Sequence, residues 1–113
     1  MDLDVKDIGA VTVVAPHGDI DMAVSDTLRV RLTTLVDKGR AKLVLDLGGV
    51  MYIDSSGLGA VVAAMKHARG AGGEIRICAL ASDVRAVFEM TNLDKVMPIH
   101  ATRAEAVAAC ASS

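Results

Sequence analysis

Three observations predict a mixed β-sheet with about four helices packed mainly against one face, in an α/β or α+β domain. The chain opens on two alternating segments that read as a β-hairpin. Short apolar runs then alternate with runs of helical period. Its 113 residues leave room for a single core, so residues 1–113 are expected to form one domain.

In the hairpin, Leu3 and Val5 alternate with charged residues, Gly9-Ala10 punctuates, and Val11, Val13 and Ala15 continue the period of two. Between Asp21 and Lys38, Val24, Leu28, Leu32, Leu35 and Val36 recur at helical spacing and Gly39 follows the last turn. Leu43-Val44-Leu45 with Leu47 is nearly continuous and apolar, as befits a central strand covered on both faces. Asp54, Ser55 and Ser56 are capping-type residues in front of a second helical run over Leu58–Ala68, which Gly70 closes. Glu74–Cys78 alternates as a strand, and Ser82 can cap a third helix ending at Met90. Val96-Met97-Pro98-Ile99 reads as an edge strand, because proline cannot donate to a ladder. Thr102 and Glu105 match a capping box before a fourth helix over Ala106–Ala111.

Composition excludes several functions. With 52% hydrophobic and 23% charged residues the chain has the balance of a folding domain. Twelve Lys and Arg against fourteen Asp and Glu leave no excess positive charge for a phosphate backbone, and Tyr52 and Phe88 are the only aromatics on which bases could stack. Direct nucleic-acid binding is therefore not expected. The longest apolar stretch, Leu58–Met65, is too short to cross a bilayer, and the acidic start lacks a basic segment followed by an apolar run, so no membrane insertion or export is expected. Cys78 and Cys110 lie far apart without metal-type spacing and are expected to be unpaired thiols in a reducing cytoplasm. His17, His67 and His100 fall on different elements with no paired spacing, so no metal site is expected.

The segment richest in chemical possibility is Met51–Gly59, where an apolar strand end delivers Ser55 and Ser56 to a helix N-terminus. Free backbone N–H groups there favour an anion. Two readings stand side by side. In one, a serine merely caps the helix while Gly57 and Gly59 permit close packing; in the other, the two hydroxyls stand at a site that holds an anionic group. Catalytic motifs do not fit: neither serine has glycine two residues before it, as a nucleophile elbow requires, and no phosphate loop precedes Lys66. No catalytic residue and no cofactor are expected.

Asp54-Ser55-Ser56-Gly57-Leu58-Gly59 strongly resembles the phosphorylation motif of STAS domains, specifically of bacterial anti-sigma-factor antagonists. His17-Gly18-Asp19-Ile20-Asp21, Leu43–Leu47, Gly72-Gly73-Glu74 and Val87–Leu93 extend the resemblance over nearly the whole chain. Asn92 stands where many relatives have glycine, and asparagine tolerates the same left-handed turn.

The resemblance implies an α/β, STAS-like mixed sheet and a non-enzymatic regulator in the cytoplasm. It implies that the unphosphorylated form binds an anti-sigma-factor serine kinase of histidine-kinase-like ATPase fold and thereby releases a sigma factor. It places the phosphoacceptor at Ser55, which a serine phosphatase on another chain would restore. Asp19, Asp21, Asp54, Ser55, Ser56, Gly57, Leu58 and Gly59 are the expected partner surface, although Asp21 could equally be a helix cap in a solvated turn. The alternatives are a STAS scaffold or sensor subunit of a stress-signalling complex, and an accessory domain of a lipid or small-ligand transport system.

Overall fold

In the computed structural model, which describes residues 1–113, strands β1 (Asp2–Ile8) and β2 (Val11–His17) form the expected antiparallel hairpin. The chain continues through α1 (Met22–Asp37), β3 (Lys42–Asp46), α2 (Ser55–Gly70), β4 (Glu74–Cys78), α3 (Ser82–Met90), β5 (Ile99–His100) and α4 (Arg103–Ala111). The five strands lie in the order β1-β2-β3-β4-β5, and every pairing after the hairpin is parallel. This is the mixed α/β sheet expected.

Each parallel step moves one strand in the same direction, so right-handed crossovers place the connecting helices on one face. The pleat shows the result. Leu43 and Leu45 of β3 and Ile75 and Ile77 of β4 join Leu28, Leu32 and Val36 of α1, Val61 and Ala64 of α2, and Val84 and Phe88 of α3 in the main core. Val44, Val11, Val13 and Cys78 point to the opposite face and meet Ala106 and Cys110 of α4. The fourth helix follows the last strand and covers this second face alone. Strand β3 is thus covered on both faces of the sheet, Leu43 and Leu45 on one and Val44 on the other, as the continuous apolar run requires.

Three boundaries depart from expectation. The edge strand is only Ile99–His100. Leu93–Lys95 form a 3-10 turn ahead of it, entered through Asn92 at φ +60°, and the Pro98 carbonyl accepts from Ile77 N at 2.9 Å. Proline serves the sheet as an acceptor without lengthening the ladder. Ser82 is the first helical residue of α3 and not its cap; Ala81 holds the cap position, without a side-chain bond. Gly70 ends α2, but the left-handed turn beyond it belongs to Gly72, at φ +83°. Both cysteines are unpaired and buried, and burial pushes each thiol up to about 11.

No helix is long and apolar enough to cross a membrane. Two residues of α3 calibrate the packing. Phe88 is fully buried whereas Met90 is 82% exposed. Phe88→Ala should lower stability in urea unfolding by about 3–5 kcal/mol through lost transfer energy and a cavity, whereas Met90→Ser should change it by less than about 0.5 kcal/mol.

Candidate functional site

The loops that leave β2 and β3 run side by side before turning into helices. Gly18 N donates to Gly49 O at 3.0 Å, Ile20 N to Tyr52 O at 2.9 Å, and Asp54 N to Ile20 O at 3.2 Å. Ile20 and Ile53 pair as an isolated parallel bridge, with both side chains buried. This pairing extends the sheet by two apolar anchors and sets the N-termini of α1 and α2 at one corner. The positive ends of both helix dipoles therefore converge there.

One carboxylate joins the two helices. Asp54 Oδ1 accepts from Gly57 N at 2.9 Å, capping α2, while Oδ2 accepts from Met22 N, the first helical residue of α1, at 3.1 Å. Asp21 supplies the ordinary cap of α1, accepting from Ala23 N at 3.0 Å. The capping reading of the serines is thereby overturned: Asp54 holds the cap position, and Ser55 and Ser56 are the first two residues of the helix itself. Ser55 is exposed and Ser56 half-buried. An acceptor-only carboxylate takes the amide, so neither hydroxyl is needed for it.

The expected partner surface divides. Asp19, Ser55 and Gly59 are exposed, and Asp21, Asp54 and Ser56 are half-buried around them. Gly57 and Leu58 face inward, which corrects their expected place at the surface. A Cβ on Gly57 would lie 2.6 Å from Ile20 O and 2.7 Å from Ile53 Cγ1, and Leu58 is part of the core. Gly57 is therefore the glycine that permits close packing, whereas a Cβ on Gly59 would meet nothing within 4 Å.

Three apolar residues at this corner were not expected as site residues. Met22, Met51 and Tyr52 are 76%, 68% and 53% exposed. The sequence held a signal for them: Met51 and Tyr52 precede the buried Ile53 outside any strand period, and Met22 precedes the first apolar residue of the α1 stripe. At the margin, His17 pairs with Asp4 at 2.8 Å, and that carboxylate raises the imidazole above its ordinary pKa. The other histidines lie elsewhere, His67 against Asp37 and His100 near Arg76.

The STAS domain family model matches residues 2–106 of this sequence. The chain belongs to the STAS-domain family. BtrV of Bordetella bronchiseptica, which carries an anti-sigma factor antagonist name, is 35% identical over 109 residues, spanning 96% of this chain and 94% of its own. An anti-sigma F factor antagonist of Paenibacillus polymyxa is 31% identical over 91 residues, 80% of this chain and 78% of that one. The crystal structure of an anti-sigma factor antagonist from Mycobacterium paratuberculosis superposes with a TM-score of 0.85 at 26% identity, covering 96% of this chain and 92% of that one.

In this STAS domain the corner should respond to substitution by packing and by capping. Gly57→Val forces atoms onto the Ile20 carbonyl and should cost about 3 kcal/mol or more, whereas Gly59→Ala should stabilise α2 by about 0.5–1 kcal/mol. Asp54→Ala removes an acceptor from two helix starts and should cost about 2 kcal/mol. Chemical denaturation of the three variants checks the order.

Proposed function

We propose that this STAS domain is an anti-sigma-factor antagonist switched by phosphorylation of Ser55. The unphosphorylated form binds an anti-sigma-factor serine kinase of histidine-kinase-like ATPase fold in the cytoplasm, and a sigma factor is released. The kinase then transfers the γ-phosphoryl group of ATP to Ser55 Oγ: the hydroxyl proton is lost, a phosphoester forms and ADP departs. A serine phosphatase hydrolyses the ester and restores the binding form. Kinase and phosphatase are separate chains, and this one serves as their substrate.

The observation that carries this reading is the exposed Ser55 at the first position of α2, relieved of capping by Asp54. The hydroxyl is accessible, and the first-turn amides of a helix favour the charge it would acquire. Ser56, half-buried beside it, is less open to an enzyme. Incubation with the cognate kinase and ATP should add one phosphate to the parent and to Ser56→Ala, and none to Ser55→Ala. Labelling of Ser55→Ala at the parent level contradicts the assignment.

The same chemistry explains why phosphorylation ends binding. A phosphoserine adds about −1.5 to −2 charges next to Asp54, at the corner where the loop carrying Asp19 and Asp21 also ends. In the free protein water and the helix dipoles accommodate this charge, but an interface closed over an uncharged hydroxyl strips that water from a dianion held beside the Asp54 carboxylate. Calorimetric titration of the phosphorylated protein against the kinase should show affinity reduced by about a hundredfold or more, a loss of roughly 3 kcal/mol. Ser55→Asp, with one charge and a shorter reach, should lose less. Equal affinity of the phosphorylated and parent forms contradicts the switch.

A further inference from the structure

We propose that Met22, Met51 and Tyr52 are the affinity-determining patch of this corner, and that it fits a protein partner presenting an apolar pocket rimmed by Lys and Arg. This inference rests on the partner-switching reading and names the chemistry that reading leaves open. The backbone brings together the two segments that carry the three side chains. Ile20 N bonds Tyr52 O, Asp54 N bonds Ile20 O, and Met22 N bonds Asp54 Oδ2, so the segments carrying them are joined at successive positions beside Ser55. All three are more than half exposed. None of the three belongs to the buried core, while in interfaces methionine and tyrosine are enriched and tyrosine supplies much of the binding energy. Single exposed apolar side chains are ordinary; three on one pair of bonded loops are not.

Charge states what surrounds the patch on the partner. No Lys or Arg occurs from Gly18 to Leu28 or from Leu47 to Met65, whereas Asp19, Asp21 and Asp54 do. Arg29, the first cation beyond Leu28, is held by Asp26 at 2.6 Å, and Lys66 follows Met65 about three turns into α2. Asp21 and Asp54 cap helices, and Asp19 is left exposed. A surface with this rim repels acidic partners and steers basic ones. Met90 supplies an internal comparison: it is as exposed as Met22 but ends α3, on neither of the two loops that carry Ser55, Met51 and Met22.

The test uses the full chain, unphosphorylated, with the cognate anti-sigma-factor kinase as probe, and measures association and dissociation rates at several salt concentrations. Met51→Ser/Tyr52→Ser should weaken binding by about thirtyfold or more, mostly through faster dissociation, and Met22→Ser should act in the same direction. Asp19→Asn should slow association and flatten its salt dependence. Met90→Ser should bind as the parent does. Because every substituted residue is exposed, thermal melts should match the parent, and Met22→Ser tests the patch from a second element should the double variant melt early. Binding of Met51→Ser/Tyr52→Ser or of Met22→Ser within about threefold of the parent overturns the patch, as does an equal loss in Met90→Ser. If the parent itself neither binds the kinase nor is phosphorylated by it, the partner-switching reading falls and the patch with it. Parent binding with unaffected patch variants defeats the patch alone.

Discussion

The carboxylate of Asp54 sits where two helices begin, and its two oxygens are divided between them. One caps α2 through Gly57 N and the other takes the first amide of α1 through Met22 N. The geometry depends on the pairing of Ile20 with Ile53, which draws the two loops together, and that pairing depends on Gly57, because a Cβ there would strike the Ile20 carbonyl. Thus one glycine and one aspartate of the motif hold the scaffold, and their neighbours Ser55, Met51 and Tyr52 are free to face outward. A phosphoryl group on Ser55, as proposed, would lie beside this staple and outside the core.

The two faces of the sheet carry different burdens. The main core lies under α1, α2 and α3, and both helices that converge on Ser55 belong to it. The smaller cluster under α4 has Ala106 and Cys110 against Val11, Val13, Val44 and Cys78. Arg103 at the start of α4 binds Asp46 at the end of β3 at 2.8 Å, and Asp46 in turn accepts from Gly48 N at 2.9 Å, at the head of the loop leading to Ser55. The loop is therefore fixed at its first turn by Asp46 and at its end by Asp54.

Periodicity made the helices, the hairpin and the central strand legible in the sequence, since the burial of Leu28, Leu32, Val36 and Leu43–Leu45 repeats the pattern of their residue types. The short edge strand was not legible, because Met97 and Pro98 look like strand residues while Leu93–Lys95 tighten into a 3-10 turn ahead of them. At the site, the motif pointed to Ser55, but which residue caps α2 could not be read from Asp-Ser-Ser alone: all three types accept an amide, and the carboxylate's role shows only in its bonds to Gly57 N and Met22 N. Gly57 and Leu58 looked like surface residues for the same reason, as inwardness at a helix start depends on a long-range contact with Ile20. Met22, Met51 and Tyr52 resemble core residues in type and are distinguished only by falling outside the period.

The central claim is that phosphorylation changes the surface at Ser55 while the Asp54 staple persists. Amide hydrogen exchange and chemical shifts of Met22 and Gly57, measured by NMR before and after phosphorylation, test it most directly. The account predicts that both amides stay protected and that shift changes are confined to the loops and first helical turns around Asp19–Ala23 and Tyr52–Gly59. Loss of protection at Met22 and Gly57, with shifts spreading into β4 and α4, would contradict it and make the switch a rearrangement of the domain.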